Sequence, residues 1–287
     1  MKLIVTGDSW TFGSEIRDPR LDFTNRNEWS RDNDRYRKAH IWPNKLAKLL
    51  GVDEVTELVN LARASSPNDR IVRQLIDWLM INYISKKKST DELFVIVGFT
   101  RHDRRDFFYD GPDKSYWKTI WPATYHDYGD NDVNEFVRIY CERFYTPVDD
   151  IHRYINQVHY LELFFKRYNI NYLMFQAFHE QQGAALQDWY DVSYEKEFGY
   201  ENEPNYKGMY EIQDILRWRE IDPIRFVDKD KKVHSFHNHI LRMGRERKTL
   251  DIFAKVMRMH PNETGHSLWA EYLCEYINKN KLIRKLI

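Results

Sequence analysis

Cysteine is nearly absent from this sequence: Cys141 and Cys274 stand far apart with no CxxC pair. That excludes a disulfide scaffold and a zinc ribbon and fits a reducing compartment. Net charge is absent as well, since 44 Lys and Arg residues balance 44 Asp and Glu residues. No global field would hold a polyanion, so nucleic acid is not an expected partner. Long apolar runs are missing too, and nothing approaches the ~18 consecutive apolar residues of a spanning helix, so no membrane partner is expected. Only about four apolar or β-branched residues precede Gly7-Asp8-Ser9, too few for the apolar core of a cleavable leader. The chain is expected to fold where it is made, in the cytoplasm.

What is present is a globular composition: 287 residues, 42% hydrophobic, 31% charged and 15% aromatic. That length buries a substantial core without cross-links. Lys2–Thr6 reads as a buried strand, Leu58–Leu61 as a short second strand, and Leu93–Gly98 as a nearly continuous apolar run of the kind found in parallel strands covered on both faces. Tyr172–Phe175 is a fourth. Between them, Trp42 to Leu50 has helical spacing up to Gly51. Asn68-Asp69 is read as the cap of a helix carrying Ile71, Leu75, Ile76 and Leu79. Val133 to Tyr168 gives two helical stretches separated near Pro147, and Thr249–Met257 and Ser267–Ile277 also read as helices. Arg17–Ala39 is expected to be a surface loop. Strands alternating with helices predict one α/β domain over residues 1–287 with a mostly parallel sheet, and irregular insertions near 101–131 and 181–247.

Ligands of open α/β sheets bind beyond the carboxyl ends of the strands. Four segments fall there or close the chain: Gly7-Asp8-Ser9-Trp10-Thr11-Phe12-Gly13, Asn60 to Ser66, Gly98-Phe99-Thr100-Arg101, and His260-Pro261-Asn262-Glu263-Thr264-Gly265-His266. Together, and in this order, they resemble the four blocks of the SGNH (GDSL-like) hydrolase superfamily. The resemblance implies a flavodoxin-like three-layer α/β/α sandwich and a serine esterase. Ser9 falls at the nucleophile position. Ser65 stands where the family has a glycine that gives a backbone N–H to the oxyanion hole. Thr100 replaces the usual asparagine, and a hydroxyl has one hydrogen to donate. His260, followed by Pro261 and Gly265, takes the place of the base in preference to His266, although Met257 stands where the family has its aspartate.

A serine needs a base within ~2.6–3.2 Å, and histidine is suited to that role. Without an aspartate at position 257, the readings are a slow dyad, a carboxylate from another loop such as Asp251, or a retired site. The expected activity is ester hydrolysis, with O-deacetylation of a carbohydrate as the substrate reading, and no metal or organic cofactor. The alternative is a non-catalytic SGNH-like module that binds carbohydrate or builds a larger assembly. The chain is also similar to uncharacterised superfamily members encoded by bacterial viruses, which implies a host cytoplasm or a virion.

Other residues have plainer readings. His234, His237 and His239 read as surface histidines rather than metal ligands, Asp8 as a turn and cap residue, and Lys86-Lys87-Lys88 as a solvated helix end. Arg101, Arg104 and Arg105 lie where an anionic group of a substrate could bind. The aromatic stretch Trp189–Trp218 reads as a subdomain's own core or as a sugar or acyl pocket.

Overall fold

The computed structural model describes residues 1–21, 30–110, 115–121, 127–178, 216–229, 235–248, 251–254 and 260–283. Four strands form its main sheet: β1 (Lys2–Thr6), β2 (Leu58–Asn60), β3 (Leu93–Phe99) and β6 (Asn171–Gln176), in the order β2-β1-β3-β6, every neighbouring pair parallel. β3 is buried at every position, which is why its sequence runs Leu-Phe-Val-Ile-Val without alternation. Side chains of successive residues still divide between two faces. Leu3, Val5, Phe94, Ile96, Leu173 and Phe175 join one core cluster, and Ile4, Val95, Val97, Phe99 and Met174 the other.

Helices cover both faces. On the first lie α3 (Trp42–Leu49), α8 (Phe236–Glu246) and α9 (Glu263–Lys279), which contribute Trp42, Leu46, Phe236, Ile240, Trp269 and Leu273. On the second lie α4 (Asn68–Leu79) and α6 (Pro147–Arg167), with Ile71, Leu75 and Leu79 of α4 at the helical interval of four. The chain is thus a mixed α/β protein with a parallel sheet. Among the described residues, no helix is long and apolar enough to cross a membrane.

Four expectations are corrected. The segment expected to be a loop contains α2 (Arg31–His40), capped by Ser30. Its inward side is polar: the Asn33 amide donates to the Ile16 carbonyl and accepts from the Asp18 N–H, and Arg37 stacks on Phe12. A helix anchored by hydrogen bonds shows no apolar stripe. The 101–131 stretch contains a hairpin, β4 (Arg105–Asp110) with β5 (Ser115–Ile120), whose Phe107 packs on Phe136 and Tyr140 of α5 (Asn131–Arg143). Residues 251–254 are extended rather than helical, because Phe253 bridges antiparallel to Pro261 and the Ala254 N–H donates to the His260 carbonyl. α4 begins after Pro67 with no side-chain cap, and the Asn68 amide is used elsewhere.

The predicted 181–247 insertion lies largely outside the described residues. Its described parts join the main core: the Phe226 segment bridges parallel to Met174 beyond β6, and α8 packs among α9 and Trp10. Trp218, on the short α7 (Leu216–Arg219), is buried against Tyr154 and Phe226.

Candidate functional site

β1, the second strand of the sheet, ends at Gly7, where the chain turns sharply. A side chain on Gly7 would overlap Thr11, and one on Gly98 would meet both Thr11 and Phe175, so both positions require glycine for β1 and β3 to end side by side. Asp8 caps the one-turn helix α1 (Ser9–Phe12) by accepting the Trp10 N–H at 3.0 Å. Ser9 opens that turn at 6% exposure. Its hydroxyl makes no hydrogen bond among the described residues. Its N–H, at the first helical position, is one of the donors that a helix start leaves without an intrahelical partner. Gly13, at φ +83°, closes the turn in the left-handed region.

β2 leads into the loop carrying Ser65, which has φ +59°. This is the glycine-like conformation that its position in the resembled family would require, here adopted by a serine. The loop is tied to the Ser9 turn by the Arg63 N–H donating to the Gly7 carbonyl at 3.2 Å. The Ser65 N–H donates to nothing among the described residues.

Thr100, after β3, is placed differently from expectation. Its hydroxyl donates to Asp8 Oδ2 at 2.6 Å, and its N–H donates to the Asn68 side-chain oxygen at 2.8 Å. Both donors are occupied, so Thr100 has none to offer an oxyanion in this arrangement. It fixes Asp8 instead. Arg104 Nη1 completes the group, 3.1 Å from the Thr100 hydroxyl oxygen and 3.5 Å from Asp8 Oδ2. Burial pushes the Asp8 carboxyl up and Arg104, the next largest influence, pulls it back. Arg101 and Arg105 are engaged elsewhere, with Asp103 and with Asp149 and Asp150. Of the three arginines, Arg104 is the one that reaches the Ser9 turn.

His260 follows the extended 251–254 segment and sits with its ring 6.4 Å from that of Trp10, the residue after Ser9. No hydrogen bond joins His260 to Ser9 among the described residues. A carboxylate does reach His260: Glu15 Oε1 lies 3.0 Å from Nδ1. Glu15 is left-handed at φ +69° and its side chain is 5% exposed. Sequence spacing gives no hint of this pairing, because Glu15 follows the Ser9 turn rather than preceding the histidine. Met257 lies outside the described residues. Asp251 accepts from the Asn262 amide at 3.2 Å and is exposed.

His266 belongs to the core. It is fully buried, its Nδ1 accepts the Trp42 N–H at 3.2 Å, and burial pushes its pKa down to about 3. Glu263, three residues before His266, pairs instead with Tyr36 and His40. Among the three clustered histidines, His234 lies outside the described residues, and His239 is buried and stacked on Tyr272 rather than at the surface. No group of three or more metal-ligating side chains occurs among the described residues. The aromatic residues from Trp189 to Tyr210 lie outside them.

Residues 22–190 match a protein family described as a family of unknown function, DUF6071. No curated protein matches the chain. The match covers more than half of the sequence, and the chain belongs to that family. Ser65, Thr100 and Arg104 lie inside the matched segment; Ser9, Glu15 and His260 lie outside it.

Proposed function

We propose that this member of the DUF6071 family is a serine ester hydrolase of the SGNH type, built on a flavodoxin-like three-layer sandwich. Ser9 Oγ attacks the acyl carbon while His260 Nε2 takes its proton. The N–H groups of Ser9 and Ser65 hold the oxyanion. His260 then returns the proton to the leaving alcohol and activates the water that releases the acid. Acyl transfer by this route requires no metal or organic cofactor. The observation that carries the reading is the 6.4 Å ring contact of His260 with Trp10, the residue that follows Ser9 in the turn at the carboxyl end of β1.

The proposed substrate is an O-acetylated carbohydrate and the proposed location cytoplasmic, as the family resemblance implies. The second reading, a non-catalytic module, is favoured by one observation: the Thr100 hydroxyl is spent on Asp8, leaving the oxyanion hole without its side-chain donor.

Labelling with a fluorophosphonate separates the two, since only an activated serine reacts appreciably. The wild type is expected to gain an adduct at Ser9 and to hydrolyse a small activated acetate ester, and Ser9→Ala is expected to lose both. Equal rates for the two proteins with no adduct would replace the hydrolase reading by the non-catalytic module.

A further inference from the structure

Glu15 occupies an unusual place for a glutamate. Its backbone is in the left-handed region, where a side chain is disfavoured, and its carboxylate is turned inward to 5% exposure. A buried carboxylate needs a partner. Among the described residues, His260 is the one basic side chain within ion-pair distance of Glu15. Oε1 lies 3.0 Å from Nδ1 but off the axis of the ring N–H, so that Nδ1 and Oε2 are both buried without a hydrogen bond. The strained backbone and the buried carboxylate face one imidazole nitrogen that has no other partner, and residues held in sparsely populated conformations cluster at functional sites.

The neighbouring carboxylates are committed. Asp8 Oδ1 holds the Trp10 N–H, and Asp8 Oδ2 holds the Thr100 hydroxyl and faces Arg104. Asp251 is held by Asn262. His266, the other ionisable group close to His260, is engaged with the Trp42 N–H.

We propose that Glu15 is the positioning carboxylate of this site: a small rotation of the ring brings the Nδ1–H onto Oε1, which holds the proton of His260 on Nδ1 and so leaves the Nε2 lone pair for Ser9. The inference rests on the hydrolase reading and supplies what the sequence lacks at position 257. When Ser9 attacks, its proton passes to Nε2, the imidazolium carries both ring protons, and the Glu15 carboxylate stabilises that cation without itself being protonated. The proton on Nε2 then leaves with the alcohol. The carboxylate is thereby delivered by the loop that carries the nucleophile instead of the loop that carries the base.

The test compares wild type, Glu15→Gln and Glu15→Gly, with Asp251→Asn as a control. Glycine suits φ +69° and removes the carboxylate without backbone strain, so it guards against a Gln variant that fails to fold. Three readouts are taken: the rate of fluorophosphonate labelling at Ser9, kcat and KM for a small acetate ester, and the tautomer of His260 from nitrogen-detected NMR of the ring. Expected are a fall of ~10²–10⁴ in labelling rate and kcat with KM little changed in both Glu15 variants, and loss of the Nδ1–H tautomer. Asp251→Asn should label at the wild-type rate. A labelled wild type with unchanged rate and tautomer in both Glu15 variants would overturn the role of Glu15 and leave the hydrolase reading standing. No labelling of the wild type would overturn both.

Discussion

Burial of His266 has a consequence for acid stability. Its folded pKa is pushed down to about 3 from an ordinary 6.5 by desolvation, with Lys45 and His260 adding to the effect. Between those values the unfolded chain binds a proton that the folded chain does not, so stability rises with pH across that window and falls as the solution is acidified. At about 1.4 kcal/mol per pH unit, the step from pH 6.5 to pH 5 costs roughly 2 kcal/mol. His102, lowered to about 4 by burial, acts in the same direction, and Asp150, raised to about 6 by burial, acts against it over its own range. The difference between proteins therefore isolates the effect. His266→Gln keeps an acceptor for the Trp42 N–H and is expected to remove about 2 kcal/mol of the loss between pH 7 and pH 5, measured by urea denaturation at the two values. The same residue shows how far single positions could be read. Ser9 and Ser65 were visible because a turn after an apolar strand has few solutions, and φ +59° at Ser65 is the conformation a glycine would otherwise supply. Glu15 was invisible because its contact spans the whole chain and depends on a backbone φ that no spacing encodes. Thr100 follows β3 as read, but its proton goes to Asp8 rather than being free for an oxyanion, and that choice is made by three-dimensional neighbours.

At the scale of elements, apolar periodicity located what is apolar and missed what is held by polar contacts. β1, β3 and β6 were legible because both their faces are covered, and α3, α4, α6 and α9 because each has a stripe facing one of the two cores. α2 and the β4–β5 hairpin carry their anchoring side chains as charges and amides. Asp106 is the clearest case. It has no exposed side-chain surface and accepts from Arg70 at 2.9 Å, Arg73 at 2.8 Å and the Thr119 hydroxyl at 2.8 Å, so one carboxylate pins both strands of the hairpin to α4. Removing it strands two guanidinium groups that are 19% and 27% exposed. Loss of one member of a buried ion pair costs about 3–5 kcal/mol, and the partial exposure of the arginines places Asp106→Ala near 3. Thermal denaturation should show that loss, and Trp117, on which Arg73 stacks, should change its fluorescence as the hairpin detaches. A stability change below ~1 kcal/mol would mean that the hairpin is held by its aromatic contacts with α5 instead.

For the whole molecule, the parallel sheet sets which pieces can stand alone. The family match runs over residues 22–190 and so contains β2, β3 and β6 but not β1, which lies between β2 and β3 and is in register with both. Without β1, β2 has no neighbour in the sheet and β3 has an open edge. The same segment lacks α8 and α9, whose Phe236, Ile240, Leu268, Trp269, Leu273 and Ile277 cover one face of the sheet, and it lacks Leu3, Val5 and Trp10 from the same cluster. Phe94, Ile96, Leu173 and Phe175 would then keep α3, with Trp42 against Phe175, as their remaining helical cover on that face. At about 1.5–3 kcal/mol for each large apolar side chain fully exposed, even half of that loss over the four is roughly 3–6 kcal/mol, a large share of the ~5–15 kcal/mol that holds a whole domain together. A fragment of residues 22–190 is therefore expected to lack a cooperative urea transition and slowly exchanging amides in β3, whereas the full chain should show both. A cooperative transition in the fragment would mean that the second core, between the sheet and α4 and α6, folds by itself. The segments that carry Ser9 and His260 would then be additions to a scaffold already stable without them.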